Sequence, residues 1–101
     1  MISPYSWNLV ANTLYIDQPV GAGFSYAANP FDYYSSSTLE MMREVYIFLQ
    51  KFFQLYPKYS KLPFYIVAES YGGHYAPALA NIILKQNEKI KRGEYKFVAK
   101  P

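Results

Sequence analysis

The feature that most constrains this chain is an apolar run that leads directly into a serine set between small residues. Residues 64–68 are apolar and follow Pro63, as in a short strand that is buried on both faces. Ser70 comes two positions after Ala68 and two before Gly72. Small residues at these positions let the backbone turn sharply enough to expose the serine at the end of the strand. Residues 68–72 therefore predict a nucleophile elbow, a tight strand-to-helix turn that presents a serine.

The serine also has a second interpretation, because serine at the start of a helix often caps it. In the catalytic interpretation, the helix after Ser70 directs its free N–H groups towards the place where a reacting carbonyl oxygen gains negative charge. Ala68 stands where the stricter form of the motif has glycine. From this motif alone, catalysis is a hypothesis with a helix-capping serine as its alternative.

Composition excludes several other kinds of site. The chain has 101 residues, of which 51% are hydrophobic and 20% aromatic. This composition is too apolar for a disordered chain, and its aromatic content is high for one small domain. Because it contains no cysteine and one histidine, we expect no disulfide framework, no zinc site and no cofactor. No apolar run is long enough for a membrane helix, and the first residues lack the pattern of a signal peptide.

The net charge of +3 is concentrated late in the chain. Residues 85–100 contain six basic and two acidic side chains. A basic cluster can bind nucleic acid, but alternation with glutamate is typical of a solvated helix end. We therefore expect neither nucleic acid nor a membrane as a partner.

A long helix is predicted in the middle of the chain. Residues 37–40, Ser-Thr-Leu-Glu, form a capping box that opens it, and Pro57 ends it. Its apolar residues recur at steps of three and four, which predicts one buried face. This face comprises Leu39, Met42, Tyr46, Leu49, Phe53 and Tyr56.

The remaining patterns alternate with this helix. Residues 14–16 and 95–99 predict further strands, and residues 21–26 a tight loop that packs Phe24 and Tyr26. A second helix is predicted from Ser70 to just before Gly93, with a kink or restart near Ala76 caused by Pro77. The alternation predicts an α/β fold of about three parallel strands with two helices.

Two motifs together resemble those of the serine carboxypeptidases, a branch of the α/β-hydrolase fold. The first is residues 14–26, LYIDQPVGAGFSY, and the second is residues 69–77, ESYGGHYAP. They stand in the family's order with a helix between them, and their sequences are most similar to those of fungal members. The resemblance implies that residues 1–101 are a single incomplete α/β-hydrolase-like domain, a fragment that contains the nucleophile segment.

The resemblance also implies roles at the matching positions. Ser70 would attack the peptide carbonyl and form an acyl-serine intermediate. The backbone N–H of Tyr71 would donate to the oxyanion, and its ring would line the pocket for the residue before the scissile bond. Glu69 would bind the substrate's free carboxylate, so that peptides or proteins lose their C-terminal residue. His74 is not expected to be the base. It lies four positions further along the same helix, so that its ring is too far from the serine oxygen to take its proton.

Other parts of the family's machinery have no counterpart in this sequence. They are the Gly-Gly-Pro-Gly turn that carries an asparagine, the Asp and His that follow the nucleophile, and the disulfide cysteines. We therefore expect the isolated chain to be inactive. Two alternatives stay open. The first is a truncated, inactive relative that acts only by binding. The second is an esterase or lipase half-domain, although Glu69 and residues 17–19 argue against it. The family implies a secreted or vacuolar/lysosomal protein.

Overall fold

The computed structural model describes residues 3–33 and 37–94. In this part of the chain there are two α-helices, α1 (Thr38–Leu55) and α2 (Gly72–Lys91), which pack against each other. Three short 3-10 turns accompany them, at Trp7–Leu9, Pro30–Tyr33 and Pro57–Tyr59. Neither helix is long and apolar enough to cross a membrane.

Helix α1 begins and ends where its capping residues predict. Ser37 is the N-cap, and its Oγ accepts a hydrogen bond from the Glu40 N–H at 3.3 Å, which satisfies one of the free donors of the first turn. The helix ends at Leu55, although the Tyr56 N–H still donates to the carbonyl of Phe52. Pro57, which has no N–H, starts the next turn. The predicted limits of α1 are confirmed.

The core lies between the two helices. Its buried side chains among the described residues are Met42, Val45 and Leu49 from α1 and Leu79 and Ile82 from α2. These residues are spaced at three or four positions along each helix, so that each helix turns one stripe towards the other.

The buried stripe of α1 differs from the predicted one at its ends. Met42 and Leu49 are buried as predicted, and Tyr46 and Phe53 are partly buried against the core. Leu39 and Tyr56 are instead 43% and 50% exposed. With a single helix packed beside α1, only the central turns are covered.

Helix α2 runs without interruption from Gly72 through Pro77 to Lys91. The predicted restart near Ala76 does not occur, although Pro77 is the sixth residue of the helix and has no N–H to donate to the Gly73 carbonyl. At the other end, Gly93 has φ +71° and its N–H donates to Ile90 at 3.0 Å, while the Glu94 N–H donates to Lys89. This is a Schellman motif, and it ends the helix just before the glycine, as predicted.

The predicted parallel sheet is wrong for the described residues. Residues 12–18 and 63–69 form no strand, and no backbone hydrogen bond joins one of these segments to the other. A strand exists only through hydrogen bonds to a neighbouring strand, which an apolar sequence does not supply by itself. The described fold is therefore helical rather than α/β. The third predicted strand, residues 95–99, lies outside the described residues.

The two apolar segments nevertheless contact the helices through alternate side chains. Ile16 and Ile66 pack against the core. Their neighbours Tyr15, Tyr65 and Val67 are 81%, 80% and 66% exposed. Side chains that alternate between two faces are typical of strand-forming sequences. The helices cover one face of these segments and leave the other face open.

Candidate active site

Ser70 occupies the turn between the second apolar segment and α2. Its φ is +57°, and it is the one non-glycine residue with a positive φ among those described. A residue with a side chain pays roughly 1–2 kcal/mol for this conformation, so it persists only where the surrounding structure enforces it. The strained backbone is at Ser70, in the tight turn formed by residues 68–72, and we call this turn the elbow.

Backbone hydrogen bonds close the turn but leave the N–H groups that precede Gly72 in the elbow without a partner in the described part of the chain. The N–H groups of Gly72, Gly73 and His74 each donate at 2.9 Å to the carbonyl three residues earlier. The Tyr71 N–H has no partner within the described residues. A free N–H beside a serine hydroxyl is the kind of donor that can stabilise an oxyanion.

The small residues of the elbow are in contact across the turn. A Cβ atom placed on Gly72 would lie 2.7 Å from the Cβ of Ala68, closer than two carbon atoms approach without strain. The sequence motif thus has a direct steric cause: with Ala68 on one side of the turn, the other side must be glycine.

Neither polar residue of the elbow caps the helix. The N-cap of α2 is Tyr71, which makes no side-chain capping hydrogen bond. The side chains of Ser70 and Glu69 are exposed and form no hydrogen bond or ion pair in the described part of the chain. The capping role that was the alternative for Ser70 is therefore not observed, and both side chains are open to solvent.

The Tyr71 side chain is the most connected group of the site. Its ring centroid lies 4.7 Å from that of His74 and 5.1 Å from that of Tyr75. Its hydroxyl lies 3.4 Å from Oγ1 of Thr38, at the start of α1. The His74 ring is thus packed on Tyr71, and no hydrogen bond joins it to Ser70 within the described residues.

The predicted tight loop, residues 21–26, is held by hydrogen bonds to Asp17. One carboxylate oxygen of Asp17 accepts the Phe24 N–H at 2.9 Å, and its backbone carbonyl accepts the Ser25 hydroxyl at 2.6 Å. Gly23 has φ +54°, and a Cβ there would overlap the Asp17 carboxylate. The predicted tight loop is confirmed, but the predicted packing of its aromatic residues is wrong, since Phe24 and Tyr26 are 95% and 80% exposed.

Metal ligands are not grouped in the described residues, where no three histidine, cysteine, aspartate or glutamate side chains could hold an ion together. The chemistry available at the elbow is that of an exposed hydroxyl, a carboxylate and a free backbone donor.

Comparison with known proteins points to one family. A family model described as serine carboxypeptidase matches residues 1–99. The chain is 52% identical over 84% of its length to serine carboxypeptidase S10 family member 1 of Dictyostelium discoideum, covering 20% of that protein. It is 45% identical over 88% of its length to carboxypeptidase Y of Komagataella phaffii, covering 16% of it.

A plant protein gives the same result. The chain is 43% identical over 87% of its length to serine carboxypeptidase-like 26 of Arabidopsis thaliana, covering 20% of that protein. No solved structure matches the chain. The chain spans a fifth or less of the length of these curated relatives. None of the three is named an esterase or a lipase, so that alternative gains no support from them. The chain belongs to the serine carboxypeptidase family.

Proposed function

We propose that the elbow is the nucleophile segment of a serine-type carboxypeptidase, which releases the C-terminal residue of peptides or proteins. The observation that carries the proposal is the strained Ser70 at φ +57°, whose neighbour Tyr71 has a free N–H in the described part of the chain. A strained backbone conformation costs free energy, and such conformations are found mostly at functional sites. Residues 1–101 would then be part of a single α/β-hydrolase-like domain in a secreted or vacuolar protein.

In the proposed reaction Ser70 Oγ attacks the carbonyl carbon of the scissile bond. A base, in this family a histidine that follows the nucleophile, takes the hydroxyl proton and gives it to the departing amine. The C–N bond breaks, the C-terminal amino acid leaves, and the rest of the peptide stays as an ester on Ser70. Water then attacks the ester and restores the serine. The Tyr71 N–H would donate to the carbonyl oxygen while it carries negative charge.

The experiment that tests the proposal restores the rest of the domain. This chain is placed in carboxypeptidase Y of Komagataella phaffii in exchange for the segment that it matches, and we call the product the graft. We expect the folded graft to hydrolyse blocked dipeptides that have a free carboxylate, and the 101-residue chain alone to be inactive. A folded graft without activity, beside an active carboxypeptidase Y, would contradict the proposal.

Glu69 is expected to make the activity of the graft depend on pH. Two ionised carboxylates in close contact repel each other, so that Glu69 and the substrate's carboxylate can pair only by sharing one proton. We therefore expect kcat/KM to fall as the pH rises towards neutral, mainly through a higher KM. Glu69→Gln keeps a hydrogen-bond donor without a charge, and the fall at neutral pH should become shallower.

Peptides with an amidated C-terminus are the control for this prediction. They carry no terminal charge and should lose little activity in the Glu69→Gln graft. If the pH profile for free-carboxylate peptides is the same with glutamate and glutamine at this position, Glu69 does not bind the carboxylate.

The contact between Ala68 and Gly72 predicts a rescue by a second substitution. Gly72→Ala should destabilise the graft by about 1–3 kcal/mol, the usual cost of overpacking, and lower kcat because the serine is displaced. Adding Ala68→Gly removes the opposing Cβ and should restore both. Gly73→Ala is the matched control, because a Cβ there meets nothing within 4 Å. Equal melting temperatures and rates for the two alanine variants would show that the contact does not constrain the elbow.

A further inference from the structure

Thr38 provides a contact between the first turn of α1 and the elbow. It is the first residue of the helix, and Ser37 rather than Thr38 supplies the capping oxygen. Oγ1 of Thr38 lies 3.4 Å from the Tyr71 hydroxyl, a hydrogen bond in which either group can donate. The two residues are 33 positions apart, so the bond joins two separate elements of the fold.

Two aromatic side chains of α2 also contact the Tyr71 ring. The His74 ring lies against it at 4.7 Å with an interplanar angle of 41°, and the Tyr75 ring meets it edge-on at 5.1 Å and 69°. These contacts support the body of the ring, whereas the bond to Thr38 fixes its far end. Tyr71 still exposes 57% of its surface, which leaves part of the ring for contact with a substrate.

We propose that Thr38 is a positioning residue that sets the orientation of the Tyr71 ring and thereby the preference for a large apolar residue before the scissile bond. The inference rests on the proposed function, in which this ring lines the pocket for that residue. Without the hydroxyl of Thr38 the ring can tilt about its side-chain bonds, and the pocket loses its defined wall.

The expected effect depends on the substrate. A phenylalanine side chain before the scissile bond buries apolar surface against the ring and loses part of that contact when the ring tilts. An alanine at the same position has too small a side chain to use the ring. A change at Thr38 should therefore alter selectivity and leave the bond-breaking step at Ser70 unaffected.

The test uses the graft with two blocked dipeptides, which carry phenylalanine or alanine before the scissile bond and leucine after it. Thr38→Val keeps the shape of the side chain and removes its hydroxyl. It should lower kcat/KM for the phenylalanine substrate about three-fold, an effect of the size of one neutral hydrogen bond. The loss should be in KM, with no change for the alanine substrate. Thr38→Ser retains the hydroxyl and should keep the selectivity of the parent graft.

A double-mutant cycle shows whether Thr38 acts through Tyr71. Tyr71→Phe removes the same hydrogen bond from the other side, so that Thr38→Val should have no further effect in that background. Equal losses on both substrates, an effect of valine that persists beside Tyr71→Phe, or a serine variant that behaves like valine would each overturn the inference. An active graft whose selectivity does not respond to Thr38→Val overturns this inference alone. A folded but inactive graft overturns the proposed function, and the inference with it.

Discussion

On its own, the 101-residue chain is expected to unfold without a cooperative transition and to associate with itself. Its accessible surface is 8585 Å², whereas a compact protein of 11.7 kDa exposes about 5,900 Å². The buried core among the described residues consists of five side chains, too few to offset the conformational entropy of a chain of this length. Circular dichroism during heating measures the cooperativity of unfolding. Binding of a hydrophobic dye measures exposed apolar surface, and sedimentation measures self-association.

The open face of the apolar segments accounts for the self-association. Tyr65 is 80% exposed on that face, and exposed apolar surface of this kind promotes association. Tyr65→Lys should therefore reduce association of the isolated chain but lower the melting temperature of the graft, where the face is covered. Gln54→Lys, on the exposed side of α1, is the matched control and should change neither. A sharp melt of a monodisperse monomer of the unmodified chain would contradict the account.

Ser70→Ala in the graft is expected to lower kcat about a million-fold, because members of a catalytic triad act as a unit and the loss of the nucleophile removes its whole contribution. The KM of any residual hydrolysis should stay close to that of the parent. Ser60→Ala is the matched control and should retain full activity. The Ser60 hydroxyl that it removes donates to the Pro57 carbonyl in a turn. Substantial hydrolysis by the Ser70→Ala graft would show that another group attacks the peptide.

The strain at Ser70 adds an independent readout to this experiment. Glycine adopts a φ of +57° without steric cost, whereas alanine does not. Both Ser70→Gly and Ser70→Ala should be inactive, and the glycine variant should have the higher melting temperature. If alanine is as stable as glycine, the backbone at this position is not strained.

Local features of this chain could be predicted from the sequence. The capping oxygen of Ser37, the Schellman motif at Gly93 and the small pair Ala68 and Gly72 each depend on residues within five positions of each other. Their geometry follows from backbone sterics and local hydrogen bonds, which a short stretch of sequence determines. The sharp turn at Ser70 was predictable for the same reason.

Features that depend on distant partners could not be predicted in this way. The apolar residues 64–68 have the composition of a strand, but strand formation requires a neighbouring backbone, and the described residues provide none. The bond between Thr38 and Tyr71 joins the first turn of α1 to the elbow, and the sequence shows Thr38 only as part of a capping box. The contact of Gly23 with the Asp17 carboxylate likewise appears only once the loop is closed.

The central claim is that Ser70 is an activated nucleophile, and a covalent probe measures this directly. A fluorophosphonate reacts with an activated serine: the new bond joins phosphorus to Oγ, fluoride leaves, and the serine proton is taken up by the base. We expect mass spectrometry of the labelled graft to show one adduct, on the peptide that contains Ser70, and none on the Ser70→Ala graft or the isolated chain. An adduct on another residue within this chain, or equal labelling of the parent and Ser70→Ala grafts, would contradict the account.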